Sequence, residues 1–142
     1  MPEMELPRIP VILWAEDAEG DRRLIEMALE EVERRPRIRF VADGHELLRQ
    51  VATERPDMVV LDLSMPGMAG MEVLQALRRE EATKELPVIV FSASQDLEMI
   101  AACGRLGAVA IVHKPTNLDS FSKAVQRITY TGKLWRDGTM GR

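Results

Sequence analysis

Five short apolar runs, separated by helical patterns, are the feature that most restricts the fold of this chain. Each run is a continuous apolar stretch rather than an alternating one, and β-branched residues are frequent in the set. Such runs are typical of strands that are buried on both faces of a parallel sheet. The predicted strands are residues 9–15, 38–42, 58–63, 88–91 and 108–112.

The segments between the runs have the spacing of amphipathic helices. Apolar residues recur three and four positions apart, with charged residues on the opposite side. The predicted helices are residues 21–33, 46–53, 71–79, 97–106 and 118–128. Strands that alternate with helices form a parallel sheet with helices on both faces, so we predict a doubly wound (βα)₅ domain of the α/β class with a five-stranded sheet.

Length and composition favour one globular domain. With 142 residues the chain suits a single domain, which we place at residues 9–129, between an N-terminal tail at 1–8 and a C-terminal tail at 130–142. The net charge of −4 argues against a large nucleic-acid surface. No apolar run approaches a membrane span, no signal core occurs at the N-terminus, and the single Cys103 has no internal partner. We therefore expect a cytoplasmic protein that binds neither nucleic acid nor membrane.

Polar residues stand where the predicted strands end. The carboxyl ends of parallel strands meet at one edge of a doubly wound sheet, which is where ligands bind. We therefore expect these groups to share a shallow cleft. They are Glu16-Asp17 at the end of the first run, Asp62 at the end of the third, Ser92-Ala93 at the end of the fourth, and His113-Lys114-Pro115 at the end of the fifth.

The chemistry of this set favours a magnesium ion and a phosphoryl group. Neighbouring carboxylates repel one another unless a cation neutralises them, and an all-oxygen cluster suits Mg²⁺. The sequence has no Cys and His spacing suited to zinc. A carboxylate can accept a phosphoryl group, and a nearby lysine offsets charge on the transferring oxygens.

Over residues 9–129 the chain resembles the receiver domain of two-component response regulators. The resemblance rests on the acidic pair, on Asp62 followed by Met65-Pro66 and Gly70, and on the pairs Ser92-Ala93 and Lys114-Pro115. It implies a flavodoxin-like fold with strand order 2-1-3-4-5. It also implies that the protein accepts a phosphoryl group from a histidine kinase and signals through a change of surface, without being a turnover enzyme.

The resemblance assigns a role to each acidic residue. Asp62 is the phosphoacceptor. Mg²⁺, for which Mn²⁺ can substitute, is held by the side chains of Asp17 and Asp62 and by the backbone carbonyl of Ser64. Glu16 acts on the ion through a water molecule.

The resemblance also identifies the phosphate-binding and switch residues. Ser92 and Ala93 meet the phosphoryl group, and Lys114 pairs first with Asp62 and then with the phosphate. The peptide bond between Lys114 and Pro115 is expected to be cis, a geometry that proline makes tolerable. The family often has an aromatic residue three positions before this lysine, but here Ile111 stands there. Switching by an aromatic side chain is therefore not expected.

Two further regions suggest a subfamily. Residues 21–29 and a C-terminal tail that contains Trp135 resemble the stand-alone receivers that serve phytochrome-type histidine kinases. That resemblance implies such a kinase as partner and a homodimer. Trp135 could anchor the dimer or a partner protein, or the tail could fold back on its own domain.

Two other functions fit the same fold. A docking module that works without phosphorylation is one, and Ile111 leaves room for it, although docking does not need the acidic set or Lys114. A small phosphohydrolase with an aspartyl nucleophile is the other. Such enzymes usually carry a second Asp two positions later, where this chain has Ser64. Dinucleotide binding is excluded because no G-x-G-x-x-G follows the first run.

Overall fold

The structure is a computed structural model that describes residues 9–136, with side chains as far as residue 131. Strands and helices alternate along the chain as predicted. The elements are β1 (Val11–Ala15), α1 (Glu19–Leu29), β2 (Arg37–Val41), α2 (Gly44–Thr53), β3 (Met58–Leu61), α3 (Gly70–Arg79), β4 (Val88–Ser92), α4 (Leu97–Arg105), β5 (Ala110–His113) and α5 (Leu118–Arg136).

The five strands form one parallel sheet in the order β2-β1-β3-β4-β5. This confirms the predicted strand order. The chain runs outward from β1 to β2 and then returns past β1 to β3, so the direction of winding reverses between β1 and β3. In doubly wound sheets this switch point is where ligands bind, outside the carboxyl ends of the strands.

Two hydrophobic layers cover the two faces of the sheet. Alternate residues of the central strands point to opposite faces, so that Leu13 joins one layer and Trp14 the other. The first layer contains residues of α2, α3 and α4, among them the fully buried Cys103. The second contains residues of α1 and α5, such as Ile25 and Val125. Burial on both faces explains the continuous apolar runs of the central strands.

The edge strands are less buried than their apolar sequences predict. In β5, Ala110 and Val112 pack on the α1–α5 layer, whereas Ile111 and His113 are exposed. In β2, only Val41 is fully buried. The prediction of burial on both faces is therefore wrong for these strands, because the side chains on the other face of an edge strand are not fully covered by a helix.

The ends of two helices differ from the prediction. Helix α1 stops at Leu29 rather than at residue 33, and Val32 instead closes a turn by donating its N–H to the carbonyl of Leu29. Helix α5 continues past residue 128 to Arg136. Residues 1–8 and 137–142 lie outside the described part of the chain, as does the side chain of Trp135. Within residues 9–136, no helix has the length and apolar character of a membrane span.

Candidate functional site

Backbone hydrogen bonds extend the sheet beyond the strand ends and hold the functional residues in place. The N–H of Glu16 donates to the carbonyl of Val41 at 2.9 Å, and the N–H of Asp62 donates to Ala15 at 3.3 Å. The N–H of Lys114 donates to the carbonyl of Ser92 at 2.9 Å. The sheet therefore fixes the backbone position from which each of these side chains extends.

Three carboxylates meet at this edge of the sheet. Glu16, Asp17 and Asp62 each place one carboxylate oxygen within 4.8 Å of the others. Glu16 is only 1% exposed and Asp62 only 6%, whereas Asp17 is open to solvent. Burial raises the pKa of Glu16, and the hydrogen bond from Lys114 partly opposes that rise. The cluster is thus acidic, largely buried and accessible from the side of Asp17.

Lys114 joins the cluster with all of its donors. Its Nζ donates to Glu16 Oε1 at 2.6 Å, to Asp62 Oδ2 at 2.8 Å and to Asp21 Oδ2 at 2.9 Å. Burial by itself lowers the pKa of Lys114, but the hydrogen bonds to the three carboxylates outweigh it, so that the pKa lies above its ordinary value. The ammonium also lies 5.8 Å from the centre of the Phe91 ring. Lys114 is therefore charged and firmly held.

Further hydrogen bonds orient the two buried carboxylates. Asp62 Oδ1 accepts from the N–H of Ser64 at 2.9 Å, and Glu16 Oε2 accepts from the N–H of Ala18 at 3.1 Å. The Nε of Arg22 donates to the backbone carbonyl of Glu16 at 2.6 Å. Because each carboxylate is bound at both oxygens, its orientation is fixed before any ligand arrives.

The loops beside Asp62 pack closely around it. A Cβ at Gly70 would lie 2.5 Å from the backbone oxygen of Asp62, so the loop between β3 and α3 needs glycine there. On the next loop, the Oγ of the buried Ser92 accepts from the N–H of Ser94 at 3.2 Å, and Ala93 is exposed. Ser92 is the last residue of β4 and Ala93 follows it, at the strand end where the sequence placed them.

The described residues make no metal site of another chemical type. The one group of carboxylate, imidazole or thiol ligands found among residues 9–131 is the trio of Glu16, Asp17 and Asp62. Its ligand atoms are all oxygens, and its charge is strongly negative. This donor set fits a hard divalent cation.

A sequence profile described as the response regulator receiver domain matches residues 12–126. The chain belongs to this family. The receiver's five parallel strands in the order 2-1-3-4-5, with five helices, are the fold expected of it.

The receiver is similar in sequence to two bacterial proteins. The receiver is 37% identical over 86 residues to sporulation initiation phosphotransferase F of Bacillus subtilis (strain 168). This match covers 61% of this chain and 68% of that protein. It is 36% identical over 107 residues to protein-glutamate methylesterase/protein-glutamine glutaminase 5 of Myxococcus xanthus (strain DK1622). That match covers 75% of this chain but 30% of the relative, so the receiver corresponds to a minor part of the Myxococcus protein.

Two solved structures resemble the receiver over most of both chains. The phosphorylated cyanobacterial phytochrome response regulator RcpA has a TM-score of 0.81 and 29% identity, with 94% of this chain and 98% of that chain covered. The Mn²⁺-bound form of response regulator Rcp1 has a TM-score of 0.79 and 28% identity, with coverage of 84% and 91%.

One sequence expectation about the site is wrong. The peptide bond between Lys114 and Pro115 is trans, as are all peptide bonds in the described part of the receiver. The trans isomer is the lower-energy form unless the surroundings impose the other one. Here Lys114 reaches Ser92 through its backbone and the carboxylates through its side chain with the trans bond, so no contact requires the cis form.

One residue of the site was missed in the sequence. Asp21 lies in the first turn of α1. From the sequence it was placed in a predicted helix and in the segment 21–29 that suggests a subfamily, but it was given no role at the site. Its contact with Lys114 joins residues 93 positions apart, which a linear pattern does not reveal. The roles expected of Ser64, Ser92 and Ala93 remain predictions.

Proposed function

We propose that Asp62 accepts a phosphoryl group from the phosphohistidine of a histidine kinase in a Mg²⁺-dependent reaction. The observation that carries this proposal is the position of the Asp62 carboxylate. Its Oδ2 lies 2.8 Å from Lys114 Nζ, and one of its oxygens lies within 4.8 Å of carboxylate oxygens of Glu16 and Asp17. A nucleophile, a fixed cation and a metal-binding donor set thus occupy one edge of the sheet.

The proposed step transfers one phosphoryl group. A carboxylate oxygen of Asp62 forms a bond to phosphorus, the P–N bond to the kinase imidazole breaks, and the imidazole leaves with the electron pair of that bond. Lys114 pairs with the charge on the phosphoryl oxygens. Asp17, Asp62 and the carbonyl of Ser64 would hold Mg²⁺, with Glu16 beside them. When bound, the ion neutralises charge on the transferring oxygens.

Phosphorylation would then change the surface next to the site. A phosphoryl group brings about −1.5 to −2 charges and new acceptor oxygens. The Ser92 hydroxyl, which now accepts from Ser94, would turn to donate to one of them, and Ala93 would move with it. We propose that this motion reaches the surface formed by α4, β5 and α5. Ile111 lies on that surface and is 36% exposed. It stands at the position, three residues before Lys114, where the family often has an aromatic residue.

The likeness to a phytochrome response regulator supports a more specific partner. We propose that the kinase is of the phytochrome type and that the protein acts as a homodimer in the cytoplasm, with residues 9–129 as its receiver unit. The long overlap with RcpA and Rcp1 supports this assignment. Faster phosphoryl transfer from a phytochrome-type kinase than from unrelated histidine kinases would support it, and equal rates would count against it.

The function is tested by replacing the acceptor. Wild-type protein incubated with acetyl phosphate and Mg²⁺ should gain the mass of one phosphoryl group, and the gain should disappear without Mg²⁺. Asp62→Asn should show no gain, because an amide oxygen is a poor nucleophile. Asp119→Asn is the matched control, since this exposed carboxylate pairs only with Lys123 among the salt bridges of the described residues. An unchanged gain in Asp62→Asn, or no gain in the wild type, contradicts the proposal.

A further inference from the structure

We propose that Asp21 is a positioning residue that holds Lys114 in the unphosphorylated site and competes for it with a phosphoryl group on Asp62. This inference rests on the proposed function of Asp62. It begins from the 2.9 Å hydrogen bond between Lys114 Nζ and Asp21 Oδ2, which links α1 to the end of β5. Asp21 lies outside the acidic trio that could hold a metal ion.

Lys114 has no donor left for a new partner. An ammonium group carries three N–H bonds. Glu16, Asp21 and Asp62 each accept a hydrogen bond from it, at distances from 2.6 to 2.9 Å. A phosphoryl group on Asp62 would present additional acceptor oxygens close to the same ammonium. The hydrogen bond to Asp62 would pass to the phosphoryl group, because that carboxylate becomes part of an acyl phosphate. Lys114 could bind a second phosphoryl oxygen only by releasing Glu16 or Asp21.

Asp21 is the partner that can be released at the lowest cost. Its side chain is 32% exposed, whereas that of Glu16 is 1% exposed. A carboxylate that loses its cation at the surface is hydrated by water, but a buried one is left as an unpaired charge. The hydrogen bond between Lys114 and Asp21 therefore stabilises the unphosphorylated site. It is lost when Lys114 binds the phosphoryl group.

A purely structural role for Asp21 is the alternative. An acidic residue in the first turn of a helix interacts favourably with the helix dipole. Asp21 does lie in that turn, but the N-cap position of α1 is Ala18, without a side-chain cap, and the carboxylate contacts Lys114 instead. A structural role would change stability alone, whereas competition for Lys114 would also change the affinity for a phosphoryl mimic.

The test compares Asp21→Asn with Glu19→Gln. Both variants lose one negative charge in the first turn of α1, but Glu19 is highly exposed and pairs with Arg23 at 3.9 Å. Calorimetric titration with beryllofluoride, an anion that imitates a phosphoryl group on a carboxylate, is performed in saturating Mg²⁺. Asp21→Asn should bind it about five- to tenfold more tightly than the wild type, as expected for removing a competing charged hydrogen bond. Glu19→Gln should bind it as the wild type does.

The outcomes separate this inference from the proposed function. Unchanged or weaker binding by Asp21→Asn, with only a lower free energy of unfolding, would assign Asp21 a structural role and overturn the inference. Equal tightening in Glu19→Gln would also overturn it, because general charge would then explain the effect. Asp21→Ala serves as a second variant and should bind more tightly as well. If the wild type binds no beryllofluoride and gains no phosphoryl group, the function proposed for Asp62 fails first.

Discussion

At the scale of single residues, Lys114 supplies the positive charge next to the buried carboxylates of the site. It is the cation that Glu16 and Asp62 share in their buried position, and its side chain is only 10% exposed. Carboxylates buried without a partner are unfavourable, so the ammonium offsets the cost of burying Glu16 and Asp62. The same contact helps to hold the Asp62 carboxylate in one orientation, with Oδ2 2.8 Å from Lys114 Nζ.

Removing the ammonium should therefore destabilise the fold. Lys114→Met keeps most of the aliphatic stem but leaves Glu16 and Asp62 without their cation. We expect the free energy of unfolding to fall by about 2–4 kcal/mol in urea titrations with EDTA at pH 7. Part of this loss should be recovered when Mg²⁺ is added, since the ion would replace the missing positive charge.

A surface lysine provides the control for this prediction. Lys123 pairs with Asp119 at 3.0 Å, and both side chains are largely exposed. Lys123→Met should change the free energy of unfolding by no more than about 0.5 kcal/mol. An equally small change in Lys114→Met would contradict the stabilising role given to the buried contact.

The residues of the site were predictable to different degrees. Glu16, Asp62 and Lys114 stand at or next to the ends of apolar runs, so the rule that strand ends converge indicated them from sequence alone. Asp21 was not predictable in this way, because its contact depends on how α1 is placed over the sheet. The cis isomer of the Lys114–Pro115 bond was taken from the resemblance and is wrong for this structure, in which the bond is trans.

At the scale of elements, the loop between β3 and α3 is tightly packed where α3 begins. Gly70 begins α3 directly against the backbone of Asp62 and Leu63. A Cβ at this position would lie 2.5 Å from the oxygen of Asp62 and 2.7 Å from the Cα of Leu63. Since both neighbours are backbone atoms, the loop itself would have to move.

A methyl group at this position should therefore damage both stability and phosphorylation. We expect Gly70→Ala to lower the free energy of unfolding by about 1–3 kcal/mol and to slow phosphorylation by acetyl phosphate. Gly20→Ala is the matched control, because a Cβ at Gly20, in α1, meets nothing within 4 Å. It should raise stability by up to about 1 kcal/mol. Urea titration of both variants measures the difference, and equal effects would contradict the packing argument.

The elements themselves were predicted better where they are buried than where they are not. The runs that became β1, β3 and β4 are apolar because helices cover both of their faces. The edge strands keep exposed positions, which are Arg37 in β2 and Ile111 and His113 in β5. Arg39 interrupts the run that became β2, whereas the run at 108–112 is wholly apolar and does not indicate that β5 lies at an edge. The extension of α5 to Arg136 was also missed. The prediction ended this helix at residue 128, where its apolar stripe was taken to end.

At the scale of the whole molecule, the topology explains why distant residues meet. The chain starts at β1, goes out to the edge strand β2 and returns to β3 on the other side of β1, so that Asp17 and Asp62 lie close together. The strand β5 lies at the edge of the sheet, and the long side chain of Lys114 spans the remaining distance to Asp62 Oδ2. Alternation of runs and helices predicted the fold class, whereas the strand order came from the family resemblance, because periodicity carries no information on strand order.

The chemical identity of the phosphorylated residue tests the central claim most directly. After phosphorylation by acetyl phosphate with Mg²⁺, reduction with borohydride converts an acyl phosphate on aspartate into homoserine, which peptide mass mapping locates. The account predicts homoserine at position 62 and at no other aspartate. Modification at Asp17 or Asp21, or a phosphoryl group that survives on His45 or His113, would contradict it.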